Sequence, residues 1–328
     1  MKTRHRLMTI ALICCSSVMA SAADQPLALT PAASIEIPHS TGKFDFLRVD
    51  SKRHRLLAAH EKDETSDFID LQTNTLISRL KVGTAVDTAA DADSHFYYVS
   101  VQEGERVAVV DATTLKEVKS IKMAGATDAI IFEPKNHQVY ATHDEGADVW
   151  VIDPVTAKVV ATIAIPGVPE YMVYDETTDR IYLNIKTKDL VAVIDPALNK
   201  VIAEWPTAPA LQPHGLALDA ANHRIFSAGD NGKLVVIDTK TGSATSSVGI
   251  VPKVDQIAFD ASGGLVYCAG TGKMSVVRTT GGKVALLGDI TTAATARNVA
   301  VDPTNRWVWT TYTDGKSSFA KAWTPPSP

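Results

Sequence analysis

The 328-residue chain carries 32 Lys and Arg against 37 Asp and Glu, a formal net charge of −5 with His neutral, and 45% hydrophobic residues. That acidic balance argues against a general nucleic-acid binder, which neutralises phosphates with a basic face. Three cysteines, two of them in the first fifteen residues, argue against a disulfide-stapled scaffold.

The chain opens with MKTRHRLMTIALICCSSVMASA. Lys2, Arg4 and Arg6 precede an apolar run from Leu7 to about Val18, and Ala20-Ser21-Ala22 follow. This order of charged, apolar and small residues predicts a secretory signal peptide over residues 1–22, cut after Ala22. The apolar run is well short of the ~20 residues that span a bilayer. Cys14 and Cys15 lie inside the run, and neither follows the small residue of a lipoprotein cleavage site. Cleavage would leave 306 residues with a net charge of −8 and Cys268 as the lone thiol. The expected product is a secreted protein, periplasmic in a cell with two membranes, with no later segment apolar enough to cross a membrane.

From there a unit recurs: an apolar strand ending in an acid, a polar turn, then a second strand. Its copies are FLRVDSKRHRLLAAH, TAADADSHFYYVSV, AIIFEPKNHQVYATH, MVYDETTDRIYLNI, LALDAANHRIFSAG, IAFDASGGLVYCAG and VAVDPTNRWVWTTY. The anchor acids Asp50, Asp91, Glu133, Asp175, Asp219, Asp260 and Asp302 are 41 to 44 residues apart. A second unit follows in most copies, anchored on Asp70, Asp111, Asp153, Asp195 and Asp238. In the sixth copy, VVRTTGGKVA, Arg278 replaces the acid. Alternation in DVWVID and the Val/Ile/Tyr content favour strands, and no helical period persists. Each repeat therefore holds four strands, A to D, and seven repeats of about 40 residues predict an all-β, seven-bladed β-propeller as a single domain over residues 33–324, with a short tail at 325–328. The seventh copy stops at TPPSP without a strand D, whereas Ala33 to Pro38, ASIEIP, matches the strand D at Ala161 to Pro166, ATIAIP. The N-terminal strand is expected to complete the last blade and cover its open edge.

The segment VYATHDEGADVWVIDPVTAKVVATIAIPG, Val139 to Gly167, resembles the YVTN β-propeller repeat, and the whole mature chain resembles the YncE-like family of exported seven-bladed propellers. The resemblance implies the fold and an exported protein. The shared residues build strands and turns, so it assigns no functional residue.

In a propeller the A–B and C–D turns lie on one face, the B–C and D–A connections on the other, and strand A lines the channel. His54, His95, His137 and His223, each four residues after an anchor acid, fall in A–B turns and read as turn residues. His39, His60, His143 and His214 map to the opposite face. The same face gathers Asp45, Asp128, Glu170, His214, Asp255 and Arg297, each five residues before an anchor, with Asp87 one position further on. These seven, from seven blades, are expected to ring the channel mouth as a ligand-binding site. Carboxylates with imidazoles suit a divalent metal or a cationic ligand. The candidate metal groupings are His143 with Asp128, Asp144 and Glu170, and His60 with Asp45 and Asp87. Arg297 is expected to pair with Asp255 or hold a ligand carboxylate. Phe46, Tyr171 and Tyr312 are candidates for the floor of a pocket.

No HExxH, CxxC, GxSxG or CxxCH motif is present, and the glycines of GDNG (229–232) and GTGK (270–273) fit hairpin turns. The leading expectation is a binding or interaction module that presents a small-molecule, metal or protein site at the mouth. The alternatives are a metal-assisted lactonase or lyase on the same face and an accessory partner of periplasmic redox enzymes. Single-stranded nucleic acid would need a basic channel with stacking aromatics.

Overall fold

The computed structural model describes residues 29–91 and 95–325; the expected signal peptide over residues 1–22 lies outside them, as does all of the tail after Pro325. The described residues form seven antiparallel sheets of four strands each. Blade three is representative: strand A Thr127–Glu133, B Gln138–His143, C Asp148–Asp153 and D Lys158–Ala164, hydrogen-bonded in that order.

Alternation along the inner strands distributes side chains between two neighbouring blades. In strand C of blade three, Val149 and Val151 join the cluster shared with blades four and five, while Trp150 and Ile152 join the cluster shared with blade two. In strand C of blade two (Arg106–Asp111), Val107 and Val109 face blade three, while Ala108 and Val110 face blade one. Both faces of an inner strand are therefore buried, and each large apolar side chain so placed contributes roughly 1.5–3 kcal/mol. Strand D is the outer edge of the blade, and its residues are mostly exposed, Val160 and Lys158 among them.

The turns follow from the anchor acids. Asp70 accepts from the backbone N–H groups of Gln72 and Thr73, Asp111 from those of Thr113 and Thr114, and Asp153 from those of Val155 and Thr156. Four residues after an anchor the backbone turns left-handed, at His54, His137, Asp179, His223, Gly264 and Arg306 in A–B turns and at Asn74, Leu115, Ala157, Asn199 and Gly242 in C–D turns. The carbonyls of His54, His95 and His223 accept from Leu71, Ala112 and Thr239, tying each A–B turn to the C–D turn of its own blade. These histidines are backbone fixtures of the turn, as their recurrence suggests.

The ring closes through the N-terminal strand, Thr30–Ile37, which pairs antiparallel with Ser318–Thr324. Ile35 lies opposite Ala320 and Ile37 opposite Ser318, and both isoleucines pack into the cluster holding Leu47, Leu56 and Trp309. The strand begins three residues earlier than the ASIEIP match. Strand A of blade seven keeps only Ala300–Val301 in regular pairing.

Candidate functional site at the channel mouth

A recurring β-bulge builds the mouth. In blades two to six the pairing of strand A with strand B slips at one level: between Ala85 and Asp87, Thr127 and Ile130, Pro169 and Met172, Pro213 and Leu216, and Val254 and Gln256. A bulge bends its strand and re-aims side chains. Asp128, Glu170, His214 and Asp255 all lie within these slips. In blade one the Asp45 N–H donates to Ala59 and the Phe46 carbonyl accepts from the Ala59 N–H, just ahead of strand A.

The structure draws the predicted residues into one electrostatic group but gives them different partners. Arg297 holds Asp255 in a bidentate pair at 2.7 and 2.8 Å. Glu170 sits between Lys186 at 2.7 Å and His214 at 3.3 Å, and Lys186 also reaches Glu145 at 2.9 Å. Burial opposes ionisation of Glu170, but the His214 bond and the Lys186 charge outweigh it and hold its pKa below the usual value. Burial likewise opposes the charged form of His214, and Glu170 overcomes it, raising the imidazole pKa. Asp87 belongs to the layer beneath. It is fully buried, takes Arg48 through both oxygens at 3.0 and 2.6 Å, and accepts from the backbone of Thr88 and Ile130.

Two carboxylates are left over. Asp45 and Asp128 have no ion-pair partner among the described residues, and both pKa values lie well above the carboxylate range. For Asp45 the causes are burial first, then repulsion from Asp255; for Asp128, burial first, then repulsion from Glu170 and Asp45. The mouth thus holds unneutralised acid on a rigid seven-blade frame.

The metal groupings expected from the sequence are not assembled. His60 is fully buried, with Nδ1 2.7 Å from Asp67 and Nε2 3.1 Å from both the Ser40 hydroxyl and the Gly42 carbonyl, and it stacks on Phe44 at 3.7 Å. Its ring nitrogens are occupied in tying the chain after the closing strand to blade one, while Asp87 is bound to Arg48. His143 stacks on Trp150 with centroids 4.6 Å apart, its Nδ1 3.6 Å from Asp148, in a space that Gly125 and Gly146 leave open. Asp144 turns to blade two, where it accepts from Gln102 at 2.7 Å. Among the described residues no group of three or more His, Cys, Asp or Glu side chains is placed to hold a metal ion. The reason is local: His60, Asp87, Asp144 and Glu170 are each drawn to a protein partner on their own or the next blade, which leaves Asp45 and Asp128 without the imidazoles that would complete a ligand set. His39 is exposed in the turn after the closing strand.

A floor lies beneath the mouth, built on the expected Phe46 and Tyr171 together with Arg48, Gln256, Asn184 and Asn298, which the sequence did not single out. Phe46 of blade one and Tyr171 of blade four meet edge to face at 4.9 Å, and the Arg48 guanidinium lies 4.3 Å from the Tyr171 ring centre. Gln256 accepts from the Leu47 and Val299 N–H groups and donates to the Leu47 carbonyl and the Tyr171 hydroxyl. Asn298 and Asn184 staple neighbouring blades at the same level, donating to the carbonyls of Asp45 and of His214 and Gly215. The only signal for these residues was their position, four before an anchor or near the end of strand B, because their partners are on other blades. Tyr312 plays no part in the floor; it stacks on Phe319 at 5.1 Å.

No protein-family model matches this chain, and no curated protein sequence matches it. Many solved structures share its fold. A chain in a mitotic checkpoint complex is similar with a TM-score of 0.78 at 12% identity, covering 100% of both chains. A chain of the Kuenenia stuttgartiensis hydrazine synthase gives 0.74 at 14%, covering 87% of this chain and 96% of that one. The WD40 repeats of RRP9 give 0.74 at 10%, covering 90% and 100%. At such identities these likenesses establish a seven-bladed β-propeller with WD40-like blades, an architecture shared by proteins of unrelated function.

Proposed function

We propose that this protein is a binding module whose acidic channel mouth receives a cationic group, carried by a small molecule or by a basic side chain of another protein. The observation that carries this reading is the pair Asp45 and Asp128, unpaired carboxylates with raised pKa values on a frame closed by seven blades. A cation seated between them would replace repulsion by attraction and return both to the charged form. The propeller fold supports the reading, since such a disc offers a broad rigid face without requiring chemistry.

The test is a titration of spermidine, calcium and a Lys-rich peptide against the intact protein, followed by melting temperature. A ligand at 100 times its dissociation constant adds ~2.7 kcal/mol, and the Asp45→Asn/Asp128→Asn variant should lose that shift. If none of the three probes raises the melting temperature of the wild type, the reading fails. The metal-assisted lactonase or lyase alternative would need His143, Asp128 and Glu170 to rearrange into a ligand set, and a calcium-specific or zinc-specific shift coupled to lactone hydrolysis would favour it. Capture of a periplasmic redox enzyme that survives the double substitution would favour the accessory-partner alternative. We further propose that the chain belongs with the YncE-like YVTN propellers and is exported after cleavage behind Ala22. Protein recovered from outside the cytoplasm should begin at Ala23, and a recovered chain that retains Met1 would refute cleavage.

A further inference from the structure

The floor divides the propeller axis, and the compartment beyond it differs in character from the mouth. A cavity of about 360 Å³ runs from Tyr171 and Gln256 toward the A–B turns of blades six and seven, where Ser262 and Pro303 form its rim. Its walls are the aliphatic side chains of strand A, among them Leu47, Val173, Leu216, Ile257 and Val299. Polar groups concentrate at the inner end. The Tyr171 hydroxyl accepts from Gln256, and its own proton has no acceptor among the described residues. Arg48 commits Nε and Nη2 to Asp87 and gives Nη1 no hydrogen-bond partner. Burial pushes the Tyr171 phenol up to about 12, so it remains a donor at neutral pH.

Walls of this kind, of a size typical for small-molecule sites, with two free donors at one end, define a ligand by its polarity. The geometry points to a second binding site here, one that takes an uncharged, mainly apolar small molecule whose carbonyl oxygen accepts hydrogen bonds from the Tyr171 hydroxyl and Arg48 Nη1. A charged ligand fits poorly. The Arg48 charge is already matched by Asp87, so a carboxylate would bury a surplus negative charge beside it. An ammonium group would face the guanidinium. At the rim, Asp260 is held by Arg306 at 2.7 Å and offers no free charge. The inference is independent of the mouth, because Phe46, Tyr171 and Gln256 stand between the two compartments.

The experiment is calorimetric titration of the intact protein with 2-octanone, octanoate and octylammonium, on the wild type and on Tyr171→Phe, Val173→Trp and Asp45→Asn/Asp128→Asn. The ketone should bind, with the two charged analogues at least tenfold weaker. Tyr171→Phe, which keeps the ring and removes the donor, should weaken the ketone about tenfold. Val173→Trp should fill the cavity and abolish binding while melting cooperatively; if it fails to fold, Tyr171→Phe decides alone. The Asn pair at the mouth should leave ketone binding unchanged. Absence of ketone binding to folded wild type overturns the inference. So does equal affinity for octanoate, or Tyr171→Phe binding like wild type.

Discussion

The two ends of the propeller axis are built from the same strands and have opposite chemistry. Five residues before six of the seven anchor acids the side chains, in or just ahead of strand A, are Asp45, Asp128, Glu170, His214, Asp255 and Arg297, and they meet at the mouth. Two to three residues before the anchor they are Leu47, Val173, Leu216, Ile257 and Val299, and they wall the inner cavity. A repeat fold can set opposite chemistries at two heights of one axis: a bulge at one level re-aims the mouth residues, and a cross-axis layer of Phe46, Arg48, Tyr171 and Gln256 lies between the two levels.

The sharpest way to break that partition is to remove its central charge. Arg48→Met leaves the buried Asp87 with only the backbone N–H groups of Thr88 and Ile130 and no countercharge, a change expected to cost about 3–5 kcal/mol. Urea unfolding measures it, and Arg48→Met combined with Asp87→Leu should recover much of the loss. A single substitution as costly as the pair combined would mean that the floor is held by packing instead of charge.

The mouth should respond in the opposite sense. A raised folded-state pKa means that the native state favours the protonated acid, so the contribution of Asp45 and Asp128 to stability declines as pH rises from the ordinary carboxylate value through the raised one. Asp128→Asn is therefore expected to stabilise the protein at neutral pH, by on the order of 1 kcal/mol. The gain should vanish below the unfolded-state value near 3.8. Melting temperatures across that range check it, and a variant less stable than wild type at pH 7 would show that Asp128 makes an attractive contact.

A smaller effect is expected from the paired part of the same ring. His214→Ala removes the imidazole from Glu170 but leaves Lys186 in place, so a loss of about 1 kcal/mol is expected. Because the imidazole pKa is raised, the loss should be complete below its ordinary value near 6.5 and disappear as pH rises through the folded value. A loss independent of pH would assign His214 a packing role only.

The least effect belongs to the turns on the cavity-end face. Ala157 holds a left-handed backbone with φ 56° in the C–D turn of blade three, where the equivalent residues of blades one and four are Asn74 and Asn199. Ala157→Asn should gain up to about 1 kcal/mol by matching the residue to the turn. It should leave both mouth and cavity ligand binding untouched. A change in either would link the turns to the sites.

Much of the architecture was legible because it is encoded locally and repeated. The anchor acids cap their own turns within three residues, the alternation in DVWVID sorts Trp150 and Val151 to different neighbours, and ASIEIP announces its place as the missing outer strand. The common height of Asp45, Asp128, Glu170, His214, Asp255 and Arg297 was legible for the same reason, since equal distances from equal anchors lie at equal heights along the axis, whereas Asp87, one position nearer its anchor, is buried on Arg48 in the layer beneath. Which of those residues are satisfied was not. His60 and His143 occupy equivalent positions in their blades, yet one is locked by Asp67, Ser40 and Gly42 and the other leans on Trp150.

The sequence by itself therefore determined seven blades, their turns, the closing strand and the acidic character of one face, because each depends on contacts within a repeat or on its period. Only the tertiary structure decided that Arg48 reaches Asp87 and Tyr171, that Gln256 bonds to Leu47 and Val299, and that the channel is split into an acidic mouth and an apolar cavity. Those contacts join residues 39 to 209 positions apart across a shared axis, and a linear pattern carries no information about distances across a ring.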